Sequence, residues 1–100
     1  IQVYNLSLGY YGAMEPLLQK YMLRSLADNP NRYIVVSAGN RSASDTAKNL
    51  NSDTMFPKFY PAEFGRVMDR VLTVTTVQQP VSGTVVAVDR QNYSPTFVLG

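Results

Sequence analysis

The run Tyr33-Ile34-Val35-Val36-Ser37-Ala38 constrains this chain more than any other segment. It is apolar without alternation, of strand length and rich in β-branched residues, the pattern of a strand covered on both faces in a parallel sheet. A parallel strand needs a neighbour reached through a crossover, and the preceding residues supply both. Ile1 to Leu8 is rich in β-formers and stops at Gly9, with a turn expected through Tyr10, Tyr11 and Gly12. From Ala13 to Ala27 the apolar residues Met14, Leu17, Leu18, Tyr21, Met22 and Leu26 recur at helical steps. Pro16 is tolerable in the first turn, Glu15 suits the positive helix start, and Asp28-Asn29-Pro30-Asn31 ends the helix.

The strand–helix–strand unit predicts an α/β fold, a partial parallel sheet with a crossover helix. A right-handed crossover places the carboxyl ends of both strands along one edge, where open α/β sheets bind ligands. Gly9 and Asn40 are therefore expected near each other at one site. Between Arg41 and Lys58 the chain turns polar and aperiodic, which predicts a long surface loop. Val71 to Val77 reads as a third strand and Thr84 to Val88 as a fourth, with Gln79-Pro80 and Ser82-Gly83 breaking the chain between them.

A length of 100 residues caps the chain at one modest domain. It is 45% apolar but only 16% charged, against about a quarter charged in ordinary soluble domains, so part of its surface is expected to face more protein. The opening at Ile1, inside a strand, points the same way: residues 1–100 read as a piece of a larger domain. The net charge of +2 is small, and Arg24, Arg32, Arg41, Arg66, Arg70 and Arg90 are scattered, which argues against a nucleic-acid partner. Without cysteine the chain forms no disulfide or thiolate site, and this leaves its compartment open. No membrane segment or signal peptide is visible. Asp45, Asp53, Glu63, Asp69 and Asp89 are dispersed, with no spacing for a metal cage or an acid/base pair. Gly9 and Gly12 before a helix lack the lysine and the glycine spacing of nucleotide-binding loops.

Several segments together carry a family resemblance. Val3-Tyr4-Asn5-Leu6-Ser7-Leu8-Gly9 resembles the "V-x-N-x-S-L-G" strand of the subtilases, the subtilisin-like serine peptidases. Val35-Val36-Ser37-Ala38-Gly39-Asn40 is similar to their "A-G-N" strand end, Tyr60-Pro61-Ala62 to "Y-P-A", and Val71-Leu72-Thr73-Val74-Thr75 to "V-I-x-V-x-A". Asn92-Tyr93-Ser94 resembles "S-F-S" more weakly. The order of the motifs matches the family across nearly the whole chain.

The resemblance implies a fragment of the subtilisin-like three-layer fold, holding the substrate-binding and oxyanion-hole part of a serine endopeptidase. Asn40 would stabilise the oxyanion, because its carboxamide carries two donors. On the residues alone Asn40 serves equally as a left-handed turn residue after Gly39. Ser7, Leu8, Gly9, Ala38 and Gly39 would hold an extended polypeptide substrate by strand addition and border the specificity pocket. Read alone, both glycines are also ordinary turn residues. In the family the Tyr60–Pro61 peptide would be cis, whereas trans is the usual state of such bonds. The mechanism implied is acyl transfer, with a serine nucleophile and a histidine base.

This chain has no histidine. In the subtilases the acid and the histidine precede the segment matched by Ile1 to Gly9 and the serine follows the matched region, so Ser7, Ser37 and Ser94 are not assigned as nucleophile. The chain alone is expected to be inert, with the remainder of a protease domain as partner. No cofactor is expected, and a structural calcium of the family is not assignable here. The family favours a secreted or cell-envelope location. Arg41 to Phe59 and Ala62 to Arg70 look longer than in compact members, and Leu99 stands where proline is usual. A non-catalytic subtilase-like domain that keeps the peptide groove for binding or support is the alternative, and an unrelated small α/β binding module a third.

Overall fold

The computed structural model describes residues 1–40, 58–78, 83, 86–87, 91–94 and 96–99. In chain order its elements are β1 (Gln2–Leu6), β2 (Tyr10–Gly12), α1 (Pro16–Asp28), β3 (Arg32–Ser37), β4 (Lys58–Tyr60), a 3-10 helix (Ala62–Arg66), β5 (Val71–Val74), β6 (Val77–Gln78), β7 (Val86–Ala87) and β8 (Val98–Leu99). The central sheet has the order β1-β3-β5-β8 and every pairing in it is parallel. With α1 as the crossover between β1 and β3, the protein is a mixed α/β fold around a parallel sheet.

The helix starts later than the apolar spacing predicts, at Pro16 rather than Ala13. Proline holds the residue before it out of the helical region, and Glu15 is extended at φ −91° and ψ 114°. From there its carboxylate accepts the Leu17 backbone N–H at 3.3 Å, capping a helix whose first residue has no N–H to satisfy. Met22 and Leu26 then reach the core, where they meet Ile34 and Val36 of β3, Val71 of β5, and Tyr60, Phe64 and Met68. Leu17 and Tyr21 remain exposed, so only part of the predicted apolar stripe faces inward.

Both α1 and the 3-10 helix pack on the same face of the sheet, the one presenting Ile34 and Val36. The alternate residues Tyr33, Val35 and Ser37 are half-buried, and Val3 and Val74, which share their face by register, are exposed. Cover on both faces, expected from the apolar run, is therefore complete on one face only among the described residues.

Three further differences from the sequence reading lie in how the strands pair. The expected turn at Tyr10–Gly12 is strand β2, which pairs antiparallel with β4 in the register Tyr10↔Tyr60, Tyr11↔Phe59 and Gly12↔Lys58. Rings on the two strands meet, Tyr10 stacking on Tyr60 at 5.8 Å and Tyr11 tilting against Phe59 at 4.8 Å. The single run expected over Val71 to Val77 is divided: Thr75 still donates to the Leu99 carbonyl at 2.8 Å, after which β6 leaves to pair antiparallel with β7. The strand expected over Thr84 to Val88 is only Val86–Ala87 among the described residues. Strand β8 and the 3-10 helix were not foreseen, the former being too short to show a period. The predicted loop from Arg41 to Pro57, the carboxylates Asp45, Asp53 and Asp89, and the breaks at Gln79-Pro80 and Ser82 lie outside the described residues.

Arg70 joins these layers. Its guanidinium donates to the carbonyls of Leu26, Asn29 and Arg32, at the end of α1 and the start of β3. The Leu26 carbonyl lies in the last turn of α1, the Asn29 carbonyl also accepts the Arg32 N–H at 3.1 Å, and the Arg32 carbonyl opens β3. Replacing Arg70 with methionine keeps much of the stem but removes a donor from each, and is expected to lower stability by about 1–3 kcal/mol. Arg70→Lys recovers little, because one ammonium cannot span the acceptors that a planar fork reaches. Urea midpoints of the two variants check this, and a midpoint unchanged in Arg70→Met would refute it.

Candidate functional site

Strands β1 and β3 run in parallel and in register from Gln2↔Arg32 to Leu6↔Val36, so the residues that follow them emerge at the same sheet edge. There a groove of about 390 Å³ is lined by Ser7 and Ser37–Asn40, together with Val74–Thr76 and Gln91. Of the residues singled out in the sequence, Ser7, Ala38, Gly39 and Asn40 thus lie in one place. Leu8 is exposed and outside the lining.

Gly9 lies outside the lining as well, and its neighbour is Phe59. A Cβ built on Gly9 would stand 2.3 Å from the Phe59 ring, and one on Gly39 2.5 Å from the same ring. Phe59 is buried, in a small cluster with Ala38 and Ala62. The two glycines therefore share one requirement, an aromatic ring wedged against both strand ends. Gly39 carries a second, a φ of 87° that side chains rarely adopt.

The backbone of Ala38–Asn40 is tied down from several directions. The Ala38 N–H donates to the Val74 carbonyl at 2.9 Å, the Asn92 N–H donates to the Gly39 carbonyl at 2.8 Å, and Asn40 forms an isolated antiparallel bridge with Gln91. Asn92 is fully buried, and its Nδ2 donates to the Ala38 carbonyl at 3.0 Å and to the Tyr11 hydroxyl at 2.6 Å. Asn40 itself is exposed, and its carboxamide makes no hydrogen bond among the described residues.

Among the described residues the side chains lining the groove are neutral: serine, threonine, asparagine, glutamine, valine and alanine, besides Gly39. These side chains offer hydrogen-bond donors and acceptors without charge of their own. Among the described residues no group of three or more His, Cys, Asp or Glu side chains could hold a metal ion. Among the described residues no helix is long and apolar enough to cross a membrane. The Tyr60–Pro61 peptide beside Phe59 is cis.

Burial raises the Tyr60 pKa above the ordinary phenol value, helped by the negative charge of Glu63 and by Tyr10. Because the folded pKa is the higher one, the native state holds this proton more firmly than the unfolded chain does. Its contribution to stability is intact below about pH 10 and is lost as pH rises through the folded pKa. Tyr60→Phe is therefore expected to flatten the alkaline decline in stability, measured as urea midpoints across that range. An unchanged slope would assign the decline to other groups.

Sequence reasoning missed Tyr11, Phe59 and Thr75 as site components, and Asn92 entered only through the weakest motif. No periodicity or spacing marks them, since each is recruited by a partner distant in the chain. The fold and the groove together define an α/β protein with a cleft at the carboxyl edge of a parallel sheet. No protein-family model, curated protein or solved structure matches this chain.

Proposed function

We propose that this chain is the substrate-binding and oxyanion-hole portion of a subtilisin-like serine endopeptidase, a part of that family's three-layer fold. The observation that supports the proposal is the Asn40 carboxamide, unpartnered among the described residues, at a groove whose described lining residues carry no charge. A donor intended for a developing oxyanion must be held in place yet left without a protein acceptor; the Asn40 backbone is held by Tyr11 and its carboxamide has no acceptor among the described residues, which supports this reading. Ser7, Ala38 and Gly39 beside it offer a polar, close-packed wall for an extended peptide, with Gly9 and Leu8 adjoining. With no histidine among its 100 residues the chain supplies no general base, so serine attack and proton transfer belong to other segments of the peptidase.

The test is intact-mass spectrometry of the purified material after treatment with a fluorophosphonate probe. A co-purifying piece that gains the probe mass is the expected result. An unlabelled chain alone, followed by a parent whose catalytic residues are replaced, would turn the assignment to a non-catalytic subtilase-like peptide-binding domain.

A further inference from the structure

We propose that Tyr11 and Asn92 are positioning residues for Asn40, clamping the three carbonyls of Ala38, Gly39 and Asn40 so that the Asn40 carboxamide is presented at a fixed place on the groove. This rests on the peptidase reading for its purpose, though not for its geometry. The Ala38 carbonyl accepts from Asn92 Nδ2 at 3.0 Å, the Gly39 carbonyl from the Asn92 N–H at 2.8 Å, and the Asn40 carbonyl from the Tyr11 hydroxyl at 2.5 Å. Each carbonyl leaving β3 thus has its own donor.

The parts of this clamp orient one another. Asn92 Nδ2 also donates to the Tyr11 hydroxyl at 2.6 Å, which occupies a lone pair there and sends the hydroxyl proton on to Asn40. The Asn92 carbonyl accepts from Thr75 Oγ1 at 2.7 Å, anchoring the assembly just beyond the end of β5. Residues from separate parts of the chain, Tyr11 of β2, Thr75 and Asn92, converge on one short segment.

Satisfying polar groups does not by itself explain this. Asn92 is fully buried and needs partners, but Asn40 is exposed, where water would accept the duty of Tyr11 at no cost. What the Tyr11 bond adds is orientation. Gly39, at φ 87° and without a side chain, is a joint beside Asn40, and the Tyr11 bond restrains it further than the Asn40–Gln91 bridge alone. A donor aimed at developing charge is effective only if the protein holds it before the charge appears.

The test is ¹⁵N relaxation of the full chain, wild type against Tyr11→Phe and Asn92→Ser. Tyr11→Phe removes one oxygen and keeps the ring on Phe59, so the fold is retained. The order parameter at Asn40 is expected to fall from about 0.85 to below about 0.6, with Val36 and Val71 unchanged. In the triad-bearing polypeptide the same substitution is expected to lower kcat about tenfold at constant KM, and to cost nothing further once Asn40 is alanine. If Asn92→Ser loses its native spectrum, Tyr11→Phe decides alone. Asn40 equally ordered in wild type and variant overturns the clamp, whatever the fluorophosphonate result. Asn40 released in the variant, with no probe-reactive piece found, overturns the peptidase reading and leaves the clamp as a device of the groove.

Discussion

Replacing Gly39 with alanine is expected to unfold the chain at far lower urea than any surface change. Two costs fall on the same atom. The backbone sits at φ 87°, where a residue with a side chain is strained by about 1–3 kcal/mol. The new Cβ would lie 2.5–2.8 Å from three atoms of the buried Phe59 ring, and overpacking of that kind costs about 1–3 kcal/mol more. Set against the roughly 5–15 kcal/mol total stability of a domain, the loss is a large share. Gly83 is the internal control, because its φ is 85° yet a Cβ there would meet nothing within 4 Å. Gly83→Ala is expected to show the backbone part alone, and Phe59→Leu to return part of the loss in the Gly39→Ala background. Equal midpoints for the two glycine variants would show that Phe59 yields freely and is not a wedge.

The second large effect is on catalysis. On the proposed peptidase reading, Asn40→Ala is expected to lower kcat of a triad-bearing parent by about 10²–10³ with KM nearly unchanged, since an oxyanion donor acts on charge that exists only in the transition state. That magnitude is the one known for the oxyanion-hole asparagine of subtilisin, and it applies here only through the proposed reading. Stability should move by no more than about 0.5 kcal/mol, because Asn40 is exposed and its carboxamide has no partner to lose among the described residues. Asn40→Asp removes both donors and adds a negative charge beside the oxyanion, so its loss of kcat should be larger still. A variant that keeps its kcat would remove Asn40 from the oxyanion role, and one that loses stability instead would make it a structural turn residue.

Much of the scaffold is legible from local chemistry. The apolar run at Tyr33–Ala38 and the helical spacing of Leu18, Met22 and Leu26 announce β3 and α1, because each pattern follows from a repeat of its own backbone. Placing Gly9 and Asn40 at one edge follows equally, since parallel strands joined by a crossover must end on the same side, although it is Ser7 and not Gly9 that lines the groove. The helix start is a case where a local rule was available but outweighed by spacing: Pro16 keeps Glu15 extended, so Ala13 and Met14 are apolar without being helical.

The rest was out of reach because it depends on contacts between distant segments. Nothing near Tyr10–Gly12 reveals a strand, as its partner Lys58–Tyr60 lies far along the chain. Gly9 and Gly39 look like turn residues until Phe59 is placed against both. Asn92 looks like a surface polar residue until its burial brings it to the carbonyls of Ala38 and Gly39. Residue type and period thus determined the sheet, the crossover and the edge where a site would form. Which side chains build that site was settled by packing, since a hydrogen bond or a ring contact depends on proximity in space, and proximity between distant segments leaves no period in the chain.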